Sequence, residues 1–218
     1  ATVTATDGTN ATTQGITVSV NNLNDNSPNF TSDSSFSADE NQRAVGTVTA
    51  ADDDGNPITY SMPNNSNQPG WTADQGIFFV DSSTGVIRIY EGSAPPNYEN
   101  KNSYSFNIFA SDGANTTMQT ITLNINDVND SPGFTHSSNS ISVEENQTSV
   151  VTMTASDEDN DLITFTVSGT DSSSVNINSS TGVLTFVSAP NYETKSSYSV
   201  IVTVNDGNDS ANANLSIS

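Results

Sequence analysis

The sequence predicts an all-β chain: tandem seven-stranded Greek-key β-sandwiches strung into an extended rod. Three observations lead there. Apolar and polar residues alternate at period two through the long segments, which is the pattern of half-buried strands. Asp-Gly, Asn-Pro and Thr-Gly pairs interrupt those runs at turn-like places, and no helical stripe of useful length occurs. Finally, one ordered set of motifs occurs twice, at a spacing that suits a unit of about 100 residues with about seven short strands.

The repeat fixes the order of elements. Asp7-Gly8 returns as Asp112-Gly113, Asp25 as Asp130, Glu40-Asn41-Gln42 as Glu145-Asn146-Gln147, and Asp52-x-Asp54 as Asp157-x-Asp159, each 105 residues on. Ser83-Thr84-Gly85-Val86 returns as Ser180-Thr181-Gly182-Val183 after 97 residues. Asn97-Tyr98-Glu99 returns as Asn191-Tyr192-Glu193, and Asp112-Gly113 as Asp206-Gly207, after 94, so the second unit is shorter in its middle. Residues 1–28 therefore read as the C-terminal strands and linker of a truncated repeat. Residues 29–132 are a whole unit, and 133–218 a second one without its closing linker. Units this small gain from extra stapling. The first piece carries an apolar alternation at Ile16, Val18 and Val20. The first whole unit has Tyr104, Phe106, Ile108 and Ala110, then Ile121, Leu123 and Ile125. Tyr198, Val200, Val202 and Val204 repeat the earlier of these sets.

Composition excludes several functions. The 218 residues hold 25 Asp and Glu against 4 Lys and Arg, a formal charge of −21. Four scattered cations cannot build the basic patch a nucleic acid needs, nor hold an anionic membrane. No apolar run reaches the roughly 18 residues of a membrane helix. With no Cys and one His, disulfides are impossible and zinc chemistry has no ligand set. Ala1-Thr2-Val3-Thr4-Ala5 lacks the basic and apolar regions of a signal peptide, so the chain is expected to be an excerpt of a longer one.

The acids are unevenly placed. Fourteen of the 25 stand at recurring motif positions, nearly all at strand ends or between units. Strand ends of a sandwich gather at two poles, so successive units would bring carboxylates together. Two carboxylates a few ångströms apart repel by about 3–4 kcal/mol at an effective dielectric of 20. A bridging cation would remove that repulsion. Carboxylate and carbonyl oxygens suit Ca²⁺, which takes about 6–8 of them; Mg²⁺ is the weaker candidate because it resists dehydration.

These motifs, in this order and seen twice, resemble tandem cadherin repeats, in the form common in bacterial surface proteins. The resemblance rests on Glu40-Asn41 and Glu145-Asn146, Asp52-x-Asp54 and Asp157-x-Asp159, Tyr98-Glu99 and Tyr192-Glu193, Asp112-Gly113 and Asp206-Gly207, and Asp127-x-Asn129-Asp130. It spans essentially the whole chain and implies an Ig-like, cadherin-like sandwich with calcium between successive repeats. Carried over, the junction of the two whole units would draw on Glu40 and Glu99, on Asp127, Asn129 and Asp130, and on Asp157, Asp159, Asn160 and Asp206. The upstream junction would use Asn24, Asp25, Asn26, Asp52, Asp54, Asn56 and Asp112. Where the family shows Asp, this chain has Asn97 and Asn22; where it shows Asn after the linker Asp, this chain has Ser131. The resemblance thus implies fewer or weaker ions than the family's full set of three.

Rival readings of the same residues fail or stay open. EF-hand loops are excluded by Leu162 and Pro57 at the required glycine positions. A Glu40/Glu99 glycosidase pair would need one raised pKa and a sugar cleft, yet these acids cluster with more acids. A Ser-His-Asp site would rest on His136, which reads as an exposed loop residue. Beyond the acidic set, no constellation recurs, so the chain is not expected to be an enzyme. Nine Asn-x-Ser/Thr sequons match the roughly eight that chance gives, so they carry no glycosylation signal. Trp71 reads as a plug at the sandwich edge, with stacking on a sugar as its functional alternative. The reading is an extracellular or surface-exposed spacer and adhesion module stiffened by calcium. Its partners are calcium and neighbouring repeats, with another copy, a cell-surface protein or a glycan as further partners. The alternatives are a carbohydrate- or protein-binding module and a self-assembling homotypic filament subunit.

Overall fold

A computed structural model of the chain describes residues 1–136 and 138–218. It divides into two compact units, residues 1–126 and 127–218. Both are all-β apart from two single-turn 3₁₀ segments, Gln75–Ile77 and Ser172–Ser174.

The first unit opens with a hairpin, Thr2–Thr6 paired antiparallel with Ala11–Gly15. Asp7 Oδ1 accepts the N–H groups of Thr9 and Asn10 at 2.9 and 2.7 Å, which sets the turn. The strand expected over Ile16, Val18 and Val20 is different in the structure. Pairing ends with the bonds that Ile16 exchanges with Ala1, and these three side chains are 43, 76 and 92% exposed. Alternation makes a half-buried strand only where an opposing sheet covers the apolar side.

The sandwich itself follows. One sheet has the order Ser35–Asp39, Thr116–Asn126, Ser103–Ser111, Thr59–Ser61. Its first two strands are parallel, which is the crossed connection of a Greek key. The facing sheet has Ala44–Thr47, Val86–Ile89 and Phe78–Val80, and Asn29–Phe30 pairs with Ala50–Ala51. The period-two residues point where expected: Phe106, Ile108, Ala110, Ile121, Leu123 and Ile125 are all buried. They meet Val48, Phe78, Val80, Ile87 and Ile89, with the rings of Phe78 and Phe106 stacked 4.0 Å apart. Gly85, at φ +72°, closes a turn so tight that a Cβ would lie 2.2 Å from the Val48 carbonyl oxygen.

The second unit repeats this plan. Ser140–Ile141, Ser210–Ile217, Tyr198–Asn205 and Thr164–Ser168 form one sheet; Ser149–Thr152, Val183–Phe186 and Val175–Ile177 form the other. Val200, Val202, Val204, Leu215 and Ile217 pack on Met153, Phe165, Val175, Leu184 and Phe186. Gly182, at φ +67°, repeats the Gly85 constraint against Met153.

The structure also corrects the expectation that only the acidic set recurs. Asp74 accepts from the Lys101 ammonium and from the Ser105 N–H, and Lys101 lies 4.8 Å from the Tyr104 ring centroid. Asp171, Lys195, Ser199 and Tyr198 make the same contacts in the second unit. This pair of latches ties each 3₁₀ turn to the long strand beneath it. Gln75 adds a bond pair in the first unit: its side-chain amide donates to the Asn107 carbonyl and accepts the Asn107 N–H, as a neighbouring strand would.

Candidate metal sites

Within each unit the motif acids fall at two poles. Residues 44–51 run from Glu40 to Asp52, and Ser103–Ser111 runs from Glu99 to Asp112. Nine extended residues span about 30 Å, so Glu40 and Glu99 stand at one pole and Asp52, Asp54 and Asp112 at the other.

At the upper pole of the first unit, segment 22–26 lies on two loops. Asp54 Oδ2 accepts the N–H groups of Asp25 and Asn26 at 3.0 and 2.9 Å, and Asp54 Oδ1 accepts from the Asn26 amide at 3.0 Å. Asp52 Oδ1 accepts the N–H groups of Asp54 and Asn56 at 3.0 and 3.3 Å. Asp112 Oδ1 accepts those of Ala114 and Asn115 at 2.7 and 2.6 Å. Asn24 donates to the Asp112 carbonyl at 3.4 Å, and Asn115 donates to the Asn26 carbonyl at 2.8 Å. All seven residues expected at this pole are therefore brought together.

The second unit builds the same cup. The Asp130 N–H donates to Asp159 Oδ2 at 2.6 Å, and the Asp161 N–H to Asp157 Oδ1 at 3.2 Å. The Asn129 amide donates to Asp206 Oδ2 and Asp209 Oδ2, both at 3.1 Å, and accepts from Asn208 at 2.7 Å. Asp127 stands exposed at the start of this segment. Asn160 takes another place than Asn56: at φ +62° it is the left-handed corner that Gly55 makes in the first unit, and its amide turns back to the Glu158 carbonyl. The counterpart of Asn56 is Asp161. Asp161, Asn115 and Asp209 escaped the sequence reading, although 105- and 94-residue offsets would have aligned them.

At the lower pole, Glu40 Oε2 accepts the Tyr98 N–H at 2.8 Å, and Glu145 Oε2 accepts the Tyr192 N–H at 3.0 Å. Asn41 and Asn146 follow in the left-handed conformation, φ +60° and +62°, with their N–H groups on the Pro96 and Pro190 carbonyls. Glu99 is exposed in the turn after Tyr98. This explains the Glu-Asn and Tyr-Glu motifs locally: each Glu holds the turn that carries the next one.

Electrostatics favour ionised carboxylates. The Asn26 N–H, ahead of the burial that opposes it, holds Asp54 below its ordinary value. The Asn115 N–H does the same for Asp112. For Asp206 burial works upward, but the N–H groups of Asp209 and Asn208 and the Asn129 amide outweigh it and the net shift is down. The oxygen inventory then tests the fit of a metal. Asp52 Oδ2, Asp157 Oδ2 and Asp159 Oδ1 are enclosed and receive no hydrogen bond among the described residues. An enclosed carboxylate oxygen without a donor is costly, and a hard cation is the partner that an all-oxygen set without nitrogen or sulfur accepts. The residues present fit such an ion.

His136 is half-buried rather than exposed, with its N–H on the Thr154 carbonyl, and no serine of the described residues bonds to its ring. No helix among the described residues is long and apolar enough to cross a membrane.

Comparison with known proteins places this geometry. The Cadherin domain family matches residues 139–218. Human Protocadherin Fat 4 is 34% identical over 171 residues, 72% of this chain and 3% of that protein. The mouse Cadherin EGF LAG seven-pass G-type receptor 2 is 30% identical over 213 residues, 91% of this chain and 7% of that protein. The chain thus spans only a small fraction of the relatives it matches. Among solved structures, repeats EC1-2 of human Protocadherin-24 superpose with a TM-score of 0.60 at 20% identity, covering 88% of this chain and 97% of that one.

Proposed function

The chain is built of tandem cadherin repeats, and from that premise we propose that it is a calcium-rigidified extracellular spacer and adhesion module of a larger surface or secreted protein. Cadherin domains are adhesion modules, and in the relatives the segment similar to this chain is a small part of a long protein. In this reading residues 1–28 close a preceding repeat, and 29–132 and 133–218 are the two whole ones. Glu40 and Glu99 of the first repeat, Asp127, Asn129 and Asp130 of the linker, and Asp157, Asp159, Asn160 and Asp206 of the second together hold Ca²⁺. Asn24, Asp25, Asn26, Asp52, Asp54, Asn56 and Asp112 supply the matching half of the upstream site. Bound there, calcium neutralises carboxylates that would otherwise force the joint open. Sites of the extracellular class, with Kd of about 10⁻⁴–10⁻³ M, fill outside the cell and stay empty in the cytosol.

The observation that carries the reading is the pair of enclosed oxygens on Asp52 and Asp157, at matching positions of the two units, with a third on Asp159, none of which receives a hydrogen bond among the described residues. The test is calcium calorimetry and small-angle scattering on the chain and on Asp130→Ala, in EDTA and in about 1 mM CaCl₂. The expected result is calcium uptake with a narrower spread of interdomain distances, both lost in the variant with each unit still folded. No binding heat and unchanged scattering in the parent chain would overturn it.

One observation favours a second reading, a carbohydrate-binding module. Trp71 is half-buried beside a cleft whose other walls include Tyr60, Met62, Pro63 and Phe79, none of them charged. Binding to a neutral-glycan array that disappears in Trp71→Ala would select it.

A further inference from the structure

The first unit carries a loop that the second lacks. Thr59 returns as Thr164 after 105 residues, but Asp74 returns as Asp171 after 97, so eight extra residues stand between Thr59 and Asp74. The loop is fixed to the long strand Ser103–Ser111. The Gly70 carbonyl accepts the Asn107 amide at 2.6 Å, and the Thr72 hydroxyl donates to the Ser105 carbonyl at 2.7 Å. The Thr120 hydroxyl donates to the Asn107 side-chain oxygen at 2.6 Å. Asn107 is only 6% exposed, a cost that its full set of bonds offsets. The second unit, without the loop, has Ile201 in its place.

The loop walls a cleft. Thr59–Ser61 and Phe78–Val80 are the last strands of their sheets, and a cleft of about 390 Å³ opens between them. Ligand clefts hold about 300–1,000 Å³. Its apolar walls are Tyr60, Met62, Pro63, Trp71 and Phe79. Trp71 does not seal it: the ring is half-buried, and a Cβ added to the exposed Gly76 would lie 3.8 Å from that ring. The free polar groups on the walls mostly donate. The Trp71 indole N–H and the Asn64 side-chain N–H groups make no hydrogen bond among the described residues, while Asn64 Oδ1 already accepts from Asn65 at 2.7 Å. The Ser61 hydroxyl, also unbonded there, can donate or accept. Gln75 Oε1 is taken by the Asn107 N–H, and none of the chain's 25 carboxylates lines the cleft.

That inventory selects a ligand. A sugar carries a hydroxyl on nearly every carbon, and each seeks an acceptor for its proton. A polyproline II segment is the opposite case. Proline has no N–H, the carbonyls of the segment are unpaired, and its apolar rings are held in place before binding. Aromatic-lined grooves take such segments at low cost in ordering. We propose that the Trp71 cleft of the first whole repeat binds an uncharged, proline-rich segment of a partner protein in the polyproline II conformation. Proline rings lie against Trp71 and Phe79, and carbonyls of the segment accept from the Trp71 indole and the Asn64 amide. Walls without charge match a segment without charge. The cleft shares no residue with the acidic poles, so this binding does not depend on the calcium reading.

Trp71 is the only tryptophan of the chain, so its fluorescence reports on this cleft. The chain is titrated with an acetylated, amidated peptide of about ten prolines, with a Gly/Ser peptide of the same length, and with cellohexaose, in EDTA and in CaCl₂. The expected result is a saturable change in Trp71 emission with the proline peptide alone. It should be half-complete between about 10 and about 500 µM and equal in EDTA and in calcium. By calorimetry, Trp71→Ala should weaken binding about tenfold or more, and Asn64→Ala about twofold to tenfold. Gly76→Leu keeps every wall but fills the cleft, and should abolish binding. Gly76 and Asn64 are both exposed, and melting curves matching the parent confirm folding. No emission change with the proline peptide, or an equal change with the Gly/Ser peptide, overturns the proposal. So does a folded Gly76→Leu variant that binds like the parent. A response to cellohexaose in place of the proline peptide also overturns it and selects the carbohydrate reading.

Discussion

Asp159→Asn separates the charge at the upper pole of the second unit from the calcium that the proposed function puts there. Asp159 Oδ2 accepts the Asp130 N–H at 2.6 Å, while Oδ1 is enclosed with no donor among the described residues. An amide keeps the first bond through its carbonyl oxygen and removes the charge from the second position. Without metal, the parent bears the cost of an unsatisfied enclosed oxygen, about 1–3 kcal/mol, so the variant should be as stable or about 1 kcal/mol more so. With metal, a site of Kd about 0.1 mM at 1 mM Ca²⁺ contributes RT ln 11, about 1.4 kcal/mol, to the parent. For a unit of residues 127–218 this is a rise in Tm of about 6–11 °C. The variant should lose most of it. Calorimetric melting of both chains in EDTA and in calcium therefore gives curves that change order between the two conditions. A variant that keeps the full calcium-dependent rise, or one that is several degrees less stable in EDTA, would refute the reasoning.

Three further outcomes follow from the same structure. Gln75→Ala removes both side-chain bonds to Asn107 and leaves a buried N–H and C=O unpaired; it should cost about 2–4 kcal/mol by urea unfolding, in the first unit alone. Gly85→Ala and Gly182→Ala should each cost about 2 kcal/mol or more through left-handed φ and collision with a carbonyl, and melting should show one unit affected by each. Asp54, Asp112 and Asp206 have folded values below the unfolded carboxylate value near 4, so their contribution is complete above about pH 4 and is lost as pH falls through the depressed values. A pH series of melting temperatures in EDTA should therefore fall below pH 4, and less steeply in Asp54→Asn; an unchanged slope would count against the linker bonds.

Strand positions, the two-unit repeat and the local turns were legible in the sequence because they rest on contacts a few residues apart. Period two decided that Phe106, Ile108 and Ala110 face inward, and an Asp-Gly pair decides its own turn through Asp Oδ1 and the N–H groups two and three residues on. The acids of both poles were found because their motifs recur at fixed offsets and resemble those of cadherin repeats. What the sequence could not decide was the accounting of donors and acceptors between segments 29 to 80 residues apart. Only folding lays Asn129 across Asp206 and Asp209, gives Asp159 one bonded and one bare oxygen, and pairs Gln75 with the backbone of Asn107. Only folding separates Asn160, which makes a left-handed corner, from Asp161, which takes the place of Asn56. The exposed run at Ile16, Val18 and Val20 shows the limit from the other side: periodicity specifies which face is apolar, but burial needs a surface to meet it.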